Sequence, residues 1–323
     1  MARKRKGSPV HGWIVLDKPK GMTSTQAVAR VKRLFDAQKA GHAGTLDPLA
    51  TGVLAVALGE ATKTVPYAMD AEKVYRFTAR WGESRATDDA EGAVTANSDV
   101  RPRRDAILAK FASFTGEILQ APPAYSAVKV AGERAYDLAR EGAAPNLTPR
   151  PVLIKSASLV AQPDADTAEF ELTCGKGAYV RAWVRDLALS LGTLGHVISL
   201  RRTRLGGLTA EAAISLEKLE ALGHSPAALE HLLPLATVLD GIPALAVSGG
   251  DAVRLRSGNP ILLRVPQYER LAGHEDFGKA QADTETQGLT VYLSTAKGEP
   301  VALAHVAKGE LRPFRVFNFG TGS

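Results

Sequence analysis

An α+β fold in two parts is what this sequence predicts, on three observations. Lys73–Trp81 (KVYRFTARW) alternates cleanly, with Tyr75, Phe77, Ala79 and Trp81 on one side and Val74, Arg76, Thr78 and Arg80 on the other. That is the mark of a strand with one face in a core and one face wet. Amphipathic helical stripes are interspersed among such strands, as at residues 24–35, 104–114 and 179–191. From residue 242 onward the helical stripes give way to short apolar runs with Gly and Pro punctuation, which predicts a small, separate β module of about 75 residues.

Taken in order, residues 12–17 (GWIVLD) read as a buried strand closed by the turn Lys18-Pro19-Lys20-Gly21. Thr23 or Ser24 caps a helix whose stripe is Val28, Val31, Leu34 and Phe35, leaving Arg30, Lys32 and Arg33 outside. Residues 52–59 (GVLAVALG) are a second buried strand, and the acid-rich stretch 87–92 is a polar turn. Pro122 and Pro123 exclude a helix where they stand, so residues 122–142 are expected to leave the sheet as an excursion, part loop and part short helix. Residues 152–159 and 168–174 pair as an antiparallel hairpin across Pro163-Asp164-Ala165-Asp166. The helix at 179–191 buries Val180, Val184, Leu187 and Leu191 and sets Arg181 and Arg185 four residues apart on one face. Like charges so placed repel by a few tenths of a kcal/mol, and a nearby carboxylate or a bound anion is the natural compensation. A strand at 196–200 and helices at 216–222 and 227–239 follow. In the last part, 253–255, 260–263, 290–293 and 301–306 read as strands and 264–288 as an extended polar loop.

The 323 residues, 45% of them hydrophobic, suffice for two cored domains. No apolar run approaches the ~20 residues of a membrane span, and no signal-peptide pattern follows the basic N-terminus, so the expected location is cytoplasmic. The one cysteine, Cys174, excludes an internal disulfide framework and a Cys-rich zinc site, and its expected place is a buried strand position. Net charge is +6 but unevenly spread. Residues 1–33 hold nine Lys or Arg against the single acid Asp17, a local +8. A second group, Lys176, Arg181, Arg185, Arg201, Arg202 and Arg204, is opposed in sequence only by Asp186. Two basic clusters around a core point to a phosphate-rich partner.

The chemically suggestive segment is residues 41–54 (GHAGTLDPLATGVL), which suspends Asp47 between a basic helix and an apolar strand. Pro48 drives Asp47 toward an extended conformation, and the flanking glycines permit close backbone approach. The loop alone leaves two alternatives about equal: a reacting carboxylate, or an Asx turn in which Asp47 bonds nearby backbone. Tyr75, by pattern alone, belongs to the core with Phe77 and Trp81.

Three segments, GHAGTLDPLATGVL at 41–54, KVYRF at 73–77 and GKGAYVR at 175–181, occur here together and in this order. With KPKGMTS at 18–24, the stretch at 122–142 and GHVISLRRTRLGGL at 195–208, they span roughly residues 10–210. In these blocks the chain resembles the bacterial TruB tRNA pseudouridine-55 synthases. The resemblance implies a pseudouridine-synthase catalytic core over residues 11–240, with a central mainly antiparallel sheet and flanking helices. It also implies a PUA-like RNA-binding domain over 241–318, preceded by a basic tail at 1–10, with 122–142 as a mobile RNA-clamping insertion. Asp47 matches the catalytic aspartate, Tyr75 the tyrosine that stacks on the uracil, and Arg181 the arginine that pairs with the carboxylate. His42, Tyr179 and Leu200 match residues around the flipped nucleotide. Lys18, Lys20, Arg30 and Arg202 are taken as phosphate contacts, and Asp89 is grouped with the substrate-binding residues. The longer stretch at 264–288 departs from the pattern expected of the C-terminal domain.

The implied reaction breaks the N1–C1′ bond of uridine, turns the base and joins C5 to C1′, without net redox change. It needs no cofactor or metal, and one carboxylate can serve either as nucleophile at C1′ or as base. A cation at contact distance favours the charged carboxylate. The expected partner is the T arm of tRNA, met by a stand-alone monomer with no guide RNA, obligate protein partner or membrane. Three alternatives stand beside this: an RNA-binding or RNA-folding protein, the same chemistry on another structured RNA, and a metal-dependent hydrolase using Asp47, Asp88 and Asp89. The last lacks a supporting histidine pattern.

Overall fold

The computed structural model describes residues 7–126, 128–130, 133–135, 147–274, 277 and 288–319. Its centre is a ten-stranded sheet. The strands are β1 (Gly12–Lys18), β2 (Ala40–Ala43), β3 (Thr51–Leu58), β4 (Lys73–Trp81), β5 (Gly116–Gln120), β6 (Arg150–Ala161), β7 (Thr167–Cys174), β8 (Gly195–Leu205), β9 (Leu208–Thr209) and β10 (Ile214–Ser215). They run in the order β10-β1-β3-β8-β4-β7-β6-β5, with β2 on β3 and β9 on β8. All pairings are antiparallel except β1 with β10 and β8 with β3. The α+β class with a central, mainly antiparallel sheet and flanking helices, expected from the sequence, is therefore the architecture observed.

Helix α1 (Ser24–Leu34) starts at Thr23, whose hydroxyl accepts from Gln26 N while Gln26 Oε1 accepts from Thr23 N, a reciprocal cap. Helices α2 (Val65–Asp70) and α3 (Arg104–Lys110) follow, and α4 (Val180–Ser190) packs on the sheet beside β8. Trp183 of α4 is fully buried among Phe77, Phe111, Phe114 and Phe170, and its indole N–H donates to the Phe114 carbonyl at 3.1 Å. Edge-to-face packing of this kind orients a helix as well as burying it. Cys174 is buried on β7, as expected.

Helix α5 (Leu216–Leu222) forms as expected, but 227–239 is not one helix. Only Pro226–Leu229 and a 3₁₀ turn at Leu235–Val238 are helical. Leu233 instead exchanges backbone hydrogen bonds with Trp13 of β1, both at 2.8 Å, and Pro234 cannot continue a helix.

The C-terminal part is built on a second, five-stranded sheet. Its five strands are β11 (Ala244–Val247), β12 (Ile261–Leu262), β13 (Leu289–Thr295), β14 (Pro300–Ala307) and β15 (Glu310–Val316), ordered β11-β13-β14-β15-β12. Two expectations are corrected here. Residues 253–255 lie in helix α6 (Gly249–Arg256), because Ser248 caps it by accepting from Asp251 N and Ala252 and Leu255 point inward. Part of the supposed loop 264–288 is helix α7 (Val265–Ala272), fixed by buried Leu271 and by Gln267, whose amide donates to the Ala246 carbonyl at 2.9 Å. Residues 275, 276 and 278–287 of that stretch lie outside the described residues.

Residues 1–6 of the expected tail also lie outside them, as do 127, 131, 132 and 136–142 of the expected clamping insertion. Ser8 is already tied down, its N–H donating to the Asp36 carbonyl. Among the described residues no helix is long and apolar enough to cross a membrane.

Candidate active site

The loop carrying Asp47 is anchored by α1. Ser24, buried in the first turn, accepts from Leu46 N at 2.8 Å and donates to the Leu46 carbonyl at 3.0 Å. Gly21 N–H donates to the Pro48 carbonyl at 2.8 Å, and Ala50 N–H to the Asp47 carbonyl at 3.0 Å. The backbone on both sides of Asp47 is thus bonded, and its carboxylate is left to face elsewhere.

It faces Arg181, on the first turn of α4. Arg181 Nε donates to Asp47 Oδ2 at 2.9 Å, Nη1 to the Thr87 carbonyl at 2.7 Å and Nη2 to the Tyr125 carbonyl at 3.0 Å. The Arg181 side chain is 4% exposed and that of Asp47 32%, so the cation sits behind the carboxylate and leaves it open to a ligand. Among the described residues no backbone N–H bonds the Asp47 carboxylate, which sets aside the Asx-turn alternative.

Helix α4 is placed by a contact that sequence inspection does not suggest. Tyr179, at its N-cap, gives no side-chain cap; buried Gln120 of β5 accepts from Tyr179 N at 2.8 Å and returns a bond to the Tyr179 carbonyl at 3.2 Å. Gln120 thereby satisfies a helix-end donor and holds Arg181 in register with Asp47.

The acid-rich turn completes the site from the other side. Asp88 takes a left-handed conformation (φ 57°), and its carbonyl accepts from Val197 N at 3.1 Å, stitching the turn to β8. Asp89 is buried, held by the Thr87 hydroxyl and Glu91 N–H, and its Oδ2 lies 3.6 Å from Arg181 Nε. Arg185 donates to Asp88 and Asp186, both at 2.9 Å. The two arginines on one face of α4 are therefore compensated by carboxylates.

Three other expected residues, Lys18, Tyr75 and Tyr179, feel the Asp47 charge, and His42 and Leu200 lie on neighbouring strands. Lys18 is fully buried, donating to the Met22 carbonyl at 2.7 Å and the Pro19 carbonyl at 2.9 Å. Burial pushes its amine down to about 8 against the opposing pull of Asp47 and Glu91. Burial raises the Tyr75 hydroxyl, with Arg202 opposing and Asp47 adding. Tyr179 is raised by burial and by Asp47. His42, on β2, is lowered by burial and by Arg202, and its buried Nδ1 has no hydrogen-bond partner among the described residues. Leu200 is buried on β8, opposite Phe77 of β4.

A sequence model of the TruB family pseudouridylate synthase N-terminal domain matches residues 32–180, and one of the tRNA pseudouridylate synthase B C-terminal domain matches 181–240. The tRNA pseudouridine synthase B of Bradyrhizobium diazoefficiens is 55% identical over 320 residues, covering 98% of this chain and 88% of the relative. The protein of the same name from Caulobacter sp. (strain K31) is 54% identical over 317 residues, covering 98% and 99%. The chain belongs to the TruB family. The Rhodospirillum rubrum tRNA pseudouridine synthase B, 50% identical over 319 residues, covers 98% of this chain and is itself covered completely. Among solved structures, one chain of an H/ACA RNP bound to a substrate RNA containing 2′-deoxyuridine aligns with TM-score 0.69 at 21% identity, covering 98% of this chain and 92% of that one. A chain of a Cbf5-Nop10-Gar1 complex gives 0.68 at 24%, covering 95% and 84%. These two speak to the fold alone.

The structure gives the expected phosphate contacts two different settings. Lys18 and Arg202 are buried and donate to backbone carbonyls, Arg202 to Val53 at 2.7 Å and Gly44 at 3.0 Å. Lys20 and Arg30 do lie at the surface, Arg30 pairing with Glu220 at 3.2 Å. Asp89, grouped by resemblance with the substrate-binding residues, is buried as a second carboxylate beside Arg181. The basic cluster at 176–204 is neutralised by contacts: Lys176 with Asp70, Arg201 with Asp17, and Arg204 with Glu72. Among the described residues no group of three His, Cys, Asp or Glu could hold a metal ion, which leaves the Asp47, Asp88 and Asp89 metal alternative without a ligand set. A cavity of about 370 Å³ beside α2, reaching from Tyr67 and Leu208 to Ile242, contains none of these site residues.

Proposed function

We propose that this TruB-family chain converts uridine-55 in the T arm of tRNA to pseudouridine, with Asp47 as the reacting carboxylate. The observation that carries this is the Asp47–Arg181 contact, made across 134 residues of sequence and leaving the carboxylate accessible. The names of relatives 50–55% identical along the chain supply the tRNA. In the reaction N1 leaves C1′ and gains a proton, C5 bonds C1′, and the C5 hydrogen passes to water. Both routes open to a carboxylate, attack at C1′ or proton removal, start from the charged form that Arg181 supports.

The base must leave its stack to reach Asp47, and Tyr75, whose hydroxyl feels the Asp47 charge, is the ring that replaces the lost stacking. Exposed Lys20 and Arg30, with Lys32 and Arg33 on the outer face of α1, supply phosphate contacts. We take residues 11–240 as the catalytic unit and 241–318 as an RNA-binding unit, acting as a monomer without a guide RNA.

The test is tritium release from a tRNA transcript labelled at C5 of uridine. Wild-type protein releases the label, and release stops when uridine-55 is replaced. Asp47→Asn loses turnover by at least about 10³-fold while tRNA binding persists. Substantial turnover by a clean Asp47→Asn preparation overturns the assignment.

A further inference from the structure

We infer that Arg202 is a positioning residue for the reaction, a buried clamp that closes the Asp47 loop at both ends. This rests on Asp47 being the reacting carboxylate. Arg202 occupies the middle of the sheet, opposite Gly52 of β3 on one side and Tyr75 of β4 on the other. A shift in register against β4 directly follows it, the kind of irregularity that re-aims a side chain. Its guanidinium reaches the Gly44 carbonyl, three residues before Asp47, and the Val53 carbonyl, six residues after. Among the described residues it forms no ion pair, although only 1% exposed. A buried cation without a carboxylate is costly, and here the carbonyls of Gly44, where the Asp47 loop begins, and of Val53, on β3 just beyond its end, take its donors.

Two of the loop's glycines are explained by the same side chain. A Cβ at Gly44, whose φ is +73°, would stand 3.1 Å from Arg202 Nη1. A Cβ at Gly52, at φ +96°, would stand 2.2 Å from the Arg202 carbonyl oxygen. One glycine admits the guanidinium and the other the backbone of the same residue. Arg202 also opposes the burial-driven rise of the Tyr75 hydroxyl and lowers His42. It therefore touches or polarises the loop of Asp47, the tyrosine expected to meet the base, and the site histidine.

The experiment uses full-length Arg202→Lys and Arg202→Gln. Lysine keeps the charge but carries its donors on one nitrogen, where Arg202 reaches Val53 and Gly44 from two, and glutamine keeps planar donors without charge. Each is assayed by tritium release for kcat and KM and by thermal melting for folding. Both variants fold, kcat falls about 10²-fold because the loop shifts Asp47, and KM for tRNA stays within about threefold. A kcat near wild type in either folded variant overturns the clamp, as does a loss carried wholly by KM. Failure of both to fold assigns Arg202 to the core alone and also overturns it. Turnover by Asp47→Asn, in contrast, removes the functional reading beneath the proposal, so the two failures are distinguishable.

Discussion

At the scale of single residues, buried cations set the character of this protein. Lys18 and Lys73 both lie inside, each donating to backbone carbonyls, and burial pushes both amines down to about 8 from 10.5. Between about pH 8 and 10.5 the unfolded chain holds a proton at each site that the folded chain has released. Folding stability contributed by these groups therefore rises with pH through that window, by at most about 1.4 kcal/mol per pH unit for each. Below pH 8 both lysines are charged in either state and the slope vanishes. Lys73 stands outside the Asp47 loop, so Lys73→Met should flatten the rise without touching the chemistry. Urea denaturation of wild type and variant at pH 7.5 and 9.5 checks this; parallel curves for the two proteins would refute it. The partners of these residues were not legible in the sequence. The charge of Lys18 and Arg202 is visible in the sequence, whereas their burial and the carbonyls that take their donors are not.

At the scale of elements, α1 does two jobs with adjacent hydroxyls. Thr23 caps the helix and Ser24 holds the Asp47 loop. Thr23→Ala removes an exposed cap worth about 1 kcal/mol. Ser24→Ala strands a buried N–H and carbonyl of Leu46, at about 1–3 kcal/mol, and frees the segment that aims Asp47. Ser24→Ala should therefore lower both stability and turnover, whereas Thr23→Ala lowers stability and leaves turnover near wild type. Denaturation and tritium release on the two variants decide it, and equal turnover in both would separate the loop anchor from function. The sequence pointed to either hydroxyl as the cap; which one caps depends on where the Asp47 loop lies. The helices α6 and α7 were misread for a related reason. Short apolar runs such as Val253-Arg254-Leu255 fit a strand or a helix equally, and the Ser248 cap and the Gln267–Ala246 bond arbitrate.

At the scale of the whole molecule, the catalytic sheet and the C-terminal domain share a core. Trp13, Val53 and Leu205 pack in one cluster with Tyr292, Leu303 and Phe317. A polar latch lies beside it: Lys63 donates to the Val316 carbonyl at 2.7 Å, and Glu60 accepts from Asn318 N at 2.8 Å. The family-model boundary between residues 180 and 181 falls at the start of α4, inside the unit built on the ten-stranded sheet, so it is not a boundary between independent cores. Phe317 is fully buried, and Phe317→Ala should cost about 3–5 kcal/mol. Because the cluster is shared, calorimetry should show one transition for wild type and, because the loss falls on that cluster, two for Phe317→Ala. One transition at lower temperature would mean that the two parts stay coupled by other contacts.

The family, the α+β class, the strands β1, β3, β4, β6 and β7, and the loop around Asp47 could all be read from the chain, because each is written in local periodicity, turn chemistry or a contiguous motif. The pairing of Asp47 with Arg181 came from resemblance, since no local pattern links residues 134 positions apart. Gln120 at the head of α4, Asp89 behind Arg181 and Arg202 between Gly44 and Val53 emerged when the sheet was assembled. Burial and the partner of a charge are properties of contacts between distant segments, and those contacts exist once β8 lies between β3 and β4.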